Sequence, residues 1–414
     1  MTDLRCSKGP LQLGQVLARG GEGVVYTVAH EPALVAKLYV PGPRDGYSEK
    51  LSHMVANPPA DPSSSIGHAS IAWPVDLIAD GKGRVVGYLM PRITDAVKVL
   101  TVFNPRLRSR TLPNFDSRYL HRSARNLAAA VTAVHARGYV VGDLNESNVL
   151  LTRQALVTLI DTDSFQVEVQ QNGVRRLYSC PVGKPEYTPP ELQGKSFERQ
   201  ARTPSHDAFA LGVLVFQLLM EGNHPFRSRW LGPGEPPDIA EKIRQGLFPY
   251  GQVNRALVRA PSGLSLDLLH PKVAELVVRC FGSGHSAPTS RPSPSEWEQA
   301  LGEAEQTLVQ CANGHFRQQR ALQCPYCARA QVQHRITPPV AASTASWPLC
   351  RHCARPNLAS EIYCQHCGAQ LVPNQPCPTC GKDMPQSAPH CPHCGSLATV
   401  VARPKSWLGS LLGP

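Results

Sequence analysis

Three polar side chains in the middle of the chain have the types and the spacing that phosphoryl transfer needs. Asp143 and Asn148 lie five residues apart in the segment Asp-Leu-Asn-Glu-Ser-Asn, and Asp161 follows after a short apolar run. A carboxylate at position 143 can accept the proton of an attacking hydroxyl. The oxygens of Asn148 and Asp161 are hard ligands that suit Mg²⁺ or Mn²⁺. The set therefore predicts a metal-assisted site that moves a phosphoryl group.

A glycine-rich turn near the N-terminus is a candidate phosphate-binding loop. Gly20, Gly21 and Gly23 lie between strand-like runs, the second of which contains Val25. Glycines let the backbone approach a ligand closely and turn its amides toward phosphate. The pattern predicts a strand–turn–strand hairpin that covers a nucleotide.

The elements that must position these residues change in kind along the chain. The first ninety residues read as β-rich, with strand-like runs at 11–17, 24–28, 34–39 and 85–90. Beyond them, helical spacing predicts a helix that Asp116 caps and that ends near Gly138. An apolar core helix is predicted over 209–220, and further helices near 238–246, 271–281 and 294–309. The prediction is an α+β fold, with a small β-rich lobe before a larger helical lobe.

These features together resemble the protein kinase superfamily over residues 11–305. The resemblance implies that Lys37, fourteen residues after Gly23, contacts the phosphates of ATP, and that Glu49 on the next helix is its ionic partner. It also implies that Glu191 of the segment Gly-Lys-Pro-Glu-Tyr-Thr-Pro-Pro-Glu pairs with Arg291. Asp207 is expected to anchor the loop that carries Asp143. Order and spacing carry this interpretation, because each residue alone is more often a surface charge or a turn.

Several positions depart from the usual kinase pattern. Val141 and Gly142 replace His-Arg, which disfavours activation through a phosphate clasp on the activation segment. Asn145 stands where kinases usually carry a lysine near the transferred phosphate, and Thr162-Asp163 replaces Phe-Gly. Asp163 adds a carboxylate near the metal, which is interpreted as a group that caps the loop or touches a metal ligand, with a further contact to Mg²⁺ or Mn²⁺ as the alternative. We favour an active enzyme; the alternative is a pseudokinase, a nucleotide-binding scaffold without turnover.

The strings Gly142-Asp143-Leu144-Asn145 and Ile160–Gln166 resemble the atypical bacterial kinases associated with tellurite resistance and stress. That resemblance implies phosphorylation of Ser or Thr on a protein partner or on the chain itself. It also implies a PP2C-type phosphatase and a von Willebrand A protein as partners.

The cysteines are concentrated in the C-terminal quarter. Of the 14 cysteines, eleven lie between Cys311 and Cys394, almost all in Cys-x-x-Cys pairs that are typical of zinc sites. One block recurs after 27 residues, which predicts a double zinc ribbon. Its ligands are Cys350, Cys353, Cys364, Cys367, Cys377, Cys380, Cys391 and Cys394.

A third zinc site is predicted upstream of that repeat. Cys311, Cys324 and Cys327 supply three thiolates, and His315 is the expected fourth ligand, with His334 or a water as alternatives. About three structural Zn²⁺ ions per chain are therefore expected, because saturated ligand sets favour structural over catalytic zinc. The tail most simply recruits a protein partner.

Composition narrows the class of protein. The 414 residues carry a formal charge of +11, but thiolate-bound zinc cancels much of the excess after Cys311, so nucleic-acid binding is possible but not favoured. No apolar run reaches the roughly 20 residues that span a bilayer. No secretory leader is recognised, and the expected location is the cytoplasm. The predicted boundaries are a tail at 1–10, a kinase-like domain at 11–305, a zinc module at 306–330, a linker at 331–347, the double ribbon at 348–397 and a tail at 398–414.

Overall fold

A computed structural model describes residues 3–40, 46–171, 173–198, 200–251, 256–261, 263–321, 324–328, 349–351, 371, 374–385 and 396. The chain divides into two compact units, Met1–Gln333 and His334–Pro414. The predicted linker and the last tail lie outside the described residues, as does most of the double ribbon. In the part of the chain that is described, no helix is both long and apolar enough to cross a membrane.

The N-terminal lobe is an antiparallel sheet with the order β2-β1-β6-β7-β5-β4-β3. Its strands are β1 (Arg5–Cys6), β2 (Gly9–Pro10), β3 (Leu13–Arg19), β4 (Gly23–Val28), β5 (Leu34–Tyr39), β6 (Asp76–Ala79) and β7 (Val85–Pro91). Strand β1 pairs with β6 and with β2, so residues 5–6 and 9–10, within the tail predicted at 1–10, belong to this sheet. Helix α1 (Tyr47–Ala56) packs against β6, and it begins late, after the Pro/Gly-rich segment.

The C-terminal lobe is helical, as predicted. Its helices are α2 (Leu100–Phe103), α3 (Pro105–Thr111), α4 (Ser117–Ala136), α5 (Pro204–Leu219), α6 (Ile239–Arg244), α7 (Pro271–Val278), α8 (Gly284–Ser286) and α9 (Pro294–Gln306). Asp116 caps α4 by accepting from the backbone amide of Arg118, as expected. Helix α5 is buried on almost all sides, which is why its sequence shows no polar stripe. The core lies between α4, α5 and α9.

Short strands position the segments that contain Asn148 and Asp161. Strands β8 (Ala96–Lys98), β9 (Val149–Thr152) and β10 (Val157–Leu159) form one sheet, and the antiparallel hairpin β11 (Val167–Gln171) and β12 (Val174–Tyr178) follows Asp161. Strands β13 (Arg229–Trp230) and β14 (Val258–Arg259) form a minor pair. The sequence indicated no hairpin at 167–178.

Two further hairpins carry cysteines. Strands β15 (Leu308–Gln310) and β16 (Phe316–Gln318) belong to the first unit, and β17 (Asn374–Pro376) and β18 (Asp383–Pro385) to the second. The first hairpin packs on α4, where the Gln318 side chain contacts the His121 ring at 3.2 Å, and the same side chain donates to the carbonyl of Ala304 in α9 at 3.1 Å. The β15–β16 hairpin of the zinc module predicted at 306–330 is therefore docked on the helical lobe.

Candidate active site and metal centres

Asp207 anchors the backbone of the loop that contains Asp143, as predicted. The Asp207 carboxylate accepts from the backbone amides of Val141 at 2.7 Å and Gly142 at 2.8 Å. It also contacts the His135 ring at 2.8 Å. Asp207 is almost fully buried, so these bonds hold the loop backbone in one position.

Asp143 is oriented by two amide side chains. Asn145 donates to Oδ1 at 2.8 Å and Asn148 donates to Oδ2 at 3.1 Å. Burial raises the pKa of the Asp143 carboxyl, and these two hydrogen bonds oppose the rise. A more basic carboxylate that is held in place is suited to accept a hydroxyl proton.

Asn148 and Asp161 are brought together by the β9–β10 hairpin, where the amide of Ile160 donates to the carbonyl of Asn148 at 3.0 Å. Asn148 uses its Nδ2 group on Asp143, which leaves an amide oxygen for a cation. The Asp161 side chain is 39% exposed. These oxygens fit the ligand set of a hard divalent cation such as Mg²⁺.

Lys37 brings a positive charge to this site, and it is held by two carboxylates. Its Nζ lies 2.7 Å from Oδ1 of Asp161 and 2.7 and 2.8 Å from the two oxygens of Asp163. Burial favours the neutral amine, but Asp163 and Asp161 outweigh it and raise the pKa of Lys37. Asp163 is fully buried and accepts from the hydroxyls of Tyr39 at 2.9 Å and Tyr88 at 2.8 Å.

The expected ion pair between Lys37 and Glu49 is not formed. The Glu49 carboxylate instead accepts from Arg176 at 3.0 Å and from the Tyr178 hydroxyl, both on the β11–β12 hairpin. The prediction fails because Asp163 occupies the position beside Lys37, and because Glu49 binds the β11–β12 hairpin instead. The next residue of α1, Lys50, is buried and donates to the carbonyl of Asp163 at 2.5 Å.

The glycine-rich turn lies between β3 and β4, as predicted. A side chain at Gly21 would meet no atom within 4 Å, whereas one at Gly23 would approach the carbonyl of Leu38 to 2.4 Å. Gly21 therefore leaves open space for a ligand, and Gly23 is required by strand packing. Val25 pairs with Lys37 across β4 and β5, which places the turn and the lysine on one part of the sheet.

The packing explains why Val141 and Gly142 depart from the His-Arg of the usual kinase pattern. Val141 is buried in the core. Gly142 has φ 76°, and a side chain there would approach Cβ of Cys180 to 2.6 Å, so an arginine does not fit. In its place, buried Arg202 donates to the carbonyls of Gly142 at 3.2 Å and Val182 at 3.0 Å. The activation segment, which ends at Glu191, is thus held to the loop that contains Asp143 by Arg202 and not by a phosphate group.

The segment that ends at Glu191 is anchored as the resemblance implied. Arg291 donates to both Glu191 oxygens at 2.7 Å. Near its start, Lys184 reaches the loop that follows Asp143 and contacts Glu146 and Ser147.

The four predicted ligands of the upstream zinc site converge. The Sγ atoms of Cys311 and Cys327 are 3.8 Å apart, and His315 Nδ1 lies 3.7, 3.7 and 3.3 Å from the Sγ atoms of Cys311, Cys324 and Cys327. Tetrahedral zinc with bonds of about 2.3 Å requires sulfur atoms about 3.8 Å apart. The donor set therefore fits Zn²⁺, and His315 is the imidazole that the fold places there.

One knuckle of the double ribbon is described. Between β17 and β18, the amide of Gly381 donates to the carbonyl of Cys377 at 2.9 Å and the amide of Thr379 donates to its Sγ at 3.4 Å. Gly381 has φ 70°, as its position after the Cys377–Cys380 pair predicts. Cys350 is buried. Cys353, Cys364, Cys367, Cys391 and Cys394 lie outside the described residues.

Two lobes around an Asp–Asn–Asp–Lys set are the arrangement of a protein kinase fold. Residues 95–297 match the protein kinase domain, and residues 350–395 match the double zinc ribbon. The chain therefore contains a protein kinase domain and a C-terminal double zinc ribbon, which confirms both predictions.

Relatives agree with this assignment. The chain is similar to protein kinase YegI of Escherichia coli K12, with 33% identity over 322 residues, covering 76% of this chain and 48% of that protein. It is also similar to the human serine/threonine-protein kinase PAK 4, with 30% identity over 162 residues, covering 35% of this chain and 25% of PAK 4. The chain spans about half the length of the YegI proteins that it matches.

Sequence reasoning underestimated three residues. The sequence places Asp163 near the metal, as a metal contact, a contact of a metal ligand or a loop cap, but gives no sign that it is the main partner of Lys37. The roles of Arg202 and Lys184 had no local signal, since both depend on contacts between segments that are far apart in the chain. An odd second carboxylate two residues after Asp161 was the one available clue.

Proposed function

We propose that this protein transfers the γ-phosphate of ATP to a Ser or Thr hydroxyl of a protein partner or of the chain itself. The observation that carries the proposal is the convergence of Asp143, Asn148, Asp161 and Lys37 in one cleft. Serine/threonine kinases among the relatives, such as PAK 4, support the choice of acceptor.

In the proposed reaction, Asp143 orients the acceptor hydroxyl and takes its proton. The hydroxyl oxygen forms a bond to the γ-phosphorus as the bond to the β,γ-bridging oxygen breaks, and ADP leaves with that electron pair. Asn148 and Asp161 would hold Mg²⁺ or Mn²⁺, which when bound neutralises phosphate charge. Lys37 supplies a fixed positive charge, and the backbone of the Gly20–Gly23 turn would contact phosphate oxygens.

The cysteine-rich segments would bind about three structural Zn²⁺ ions. The four ligands at 311–327 support one site, and the double-ribbon match supports two more. The ribbon would recruit protein partners, for which a PP2C-type phosphatase and a von Willebrand A protein are the candidates. A cytoplasmic location fits this proposal, because ATP and reduced thiols are available there.

The proposal is tested by phosphate incorporation from γ-labelled ATP with Mg²⁺, using the full chain and candidate partners. Wild type should label Ser or Thr, whereas Asp143→Asn and Asp161→Asn should lose at least about 10²-fold in rate. Nucleotide binding should persist in Asp143→Asn, since Asp143 faces the acceptor. Equal incorporation by wild type and both variants contradicts the proposal, and binding without any transfer supports the pseudokinase. Elemental analysis should find about three zinc ions per chain.

A further inference from the structure

We propose that Lys184, on the activation segment, supplies the positive charge beside the transferred phosphate that position 145 no longer provides. The inference rests on the proposed phosphotransferase function and deepens it. It adds a catalytic residue that lies outside the loop containing Asp143, Asn145 and Asn148.

Lys184 reaches into that loop from a distant part of the chain. Its Nζ donates to Oε1 of Glu146 at 2.6 Å and to Oγ of Ser147 at 2.6 Å. Both partners lie between Asp143 and Asn148, so the ammonium group is held beside the catalytic carboxylate. Its charge lowers the pKa of the Asp143 carboxyl, against the larger effect of burial, which raises it.

The ammonium group retains capacity for a ligand. A lysine has three N–H donors, and Glu146 and Ser147 take two of them. The Lys184 side chain is 37% exposed, which leaves the third donor room for a ligand. A cation fixed by two partners and open on one side is preorganised to stabilise charge that develops at a reacting group.

Three other polar side chains of the described part of this site already have partners. Asn145 is fully buried, and its amide donates to Asp143 while its oxygen accepts from the backbone amide of Ser147 at 2.9 Å. Lys37 is held between Asp161 and Asp163. Arg202 donates to the carbonyls of Gly142 and Val182, and its side chain stacks on a phenyl ring.

The role in the reaction follows from this placement. As the acceptor oxygen bonds to the γ-phosphorus and the bond to ADP breaks, the three non-bridging oxygens carry the negative charge. Lys184 would donate its third N–H to one of these oxygens while Asp143 takes the hydroxyl proton. Lys184 itself neither gains nor loses a proton.

The consequence is that transfer depends on the activation segment being seated. Lys184 lies two residues after Val182, whose carbonyl Arg202 binds, and Arg202 also binds Gly142. The same contacts that fasten the segment therefore deliver the cation. In this protein the segment would complete the site directly, without phosphorylation.

The test compares Lys184→Met, Lys184→Arg and the double variant Asn145→Lys/Lys184→Met in the full chain. We expect Lys184→Met to lower kcat about 10²-fold with a KM for ATP within about twofold of wild type, because the lost contact forms mainly in the transition state. Lys184→Arg should keep most of kcat. The double variant should regain about tenfold, because it returns a cation to the loop.

Glu146→Gln provides the matched control for a purely structural tether. It breaks the same ion pair from the other side, so a tether predicts equal losses in Glu146→Gln and Lys184→Met, whereas a catalytic cation predicts a much smaller loss in Glu146→Gln. Thermal unfolding of each variant identifies any that fails to fold. Wild-type kcat in Lys184→Met, or equal losses in the two variants, overturns the inference while the proposed function stands. Absence of Asp143-dependent transfer in wild type overturns both.

Discussion

Lys37 and Asp163 form a buried ion pair in which the lysine Nζ lies 2.7 and 2.8 Å from the two carboxylate oxygens. The hydroxyls of Tyr39 and Tyr88 complete the hydrogen bonds of Asp163. The charge of Lys37 is therefore neutralised by the segment that contains Asp161 and Asp163, and not by a residue of α1. This leaves Glu49 available to bind the β11–β12 hairpin.

Asp163→Asn should lower both stability and nucleotide affinity. Removing one partner of a buried ion pair costs up to about 3–5 kcal/mol, and Lys37 would keep only the partly exposed Asp161 as a carboxylate partner. We expect urea unfolding to show a loss of that order, and ATP affinity to fall because Lys37 loses its main anchor.

Glu49→Gln is the matched control for that experiment. Its carboxylate is partly exposed and pairs with an exposed arginine, so a stability change below about 1 kcal/mol is expected. If Glu49→Gln weakened ATP binding more than Asp163→Asn, the assignment of Asp163 as the partner of Lys37 would be wrong.

Gly142→Ala should destabilise the chain more than Gly138→Ala. Both glycines have positive φ, 76° and 88°, so both substitutions carry a backbone penalty of about 1–2 kcal/mol. A side chain at 138 meets no atom within 4 Å, whereas one at 142 meets Cys180. Denaturant unfolding should show an additional loss of about 1–3 kcal/mol for Gly142→Ala. Equal losses would mean that Cys180 moves aside freely.

Removal of metal from the 311–327 site should destabilise the kinase unit itself. The β15–β16 hairpin packs on α4, and the Arg118 guanidinium lies 3.8 Å from the centre of the Phe316 ring. Cys327→Ser should therefore lose one zinc ion and lower the unfolding temperature by several degrees, because metal binding contributes folding free energy. Cys6→Ser is the control, since Cys6 lies in β1, about 300 residues before the zinc ligands in the sequence. An unchanged unfolding temperature with one zinc ion missing would contradict the docking role.

Lys50→Met should stabilise the protein near neutral pH. Burial lowers the pKa of Lys50 to about 8 from 10.5, although Asp163 opposes the shift. Between these values the unfolded chain binds more protons at this position, so the stability of wild type rises with pH from about 8 to 10.5. Lys50→Met lacks this cost, and its advantage of about 1–3 kcal/mol at pH 7 should shrink across that window.

Chemical denaturation at pH 7, 9 and 10.5 measures this effect. The exposed Lys195 provides the control, because Lys195→Met should leave both stability and its pH dependence close to wild type. A Lys50→Met variant less stable than wild type at pH 7 would show that the bond to the Asp163 carbonyl outweighs the burial cost.

Much of the fold and site could be predicted from local signals. The helix after Asp116, the buried helix that contains Asp207, and the Cys377–Cys380 turn each depend on spacing within a few residues. The pairing of Glu191 with Arg291 was implied by resemblance and is confirmed by geometry. The β11–β12 hairpin had no such signal, and it changed the partner of Glu49.

The sequence by itself determined the chemistry: a carboxylate, an amide and a second carboxylate in order, a strand lysine, and cysteines at the spacing of zinc ligands. These are properties of residue type and local separation. Only the tertiary structure decided which charges meet. Lys37 and Asp163 are 126 residues apart, and Lys184 and Glu146 are 38 apart. Such pairs are selected by how the lobes and loops pack, because a buried charge takes the nearest partner that packing provides and not the one that sequence order suggests.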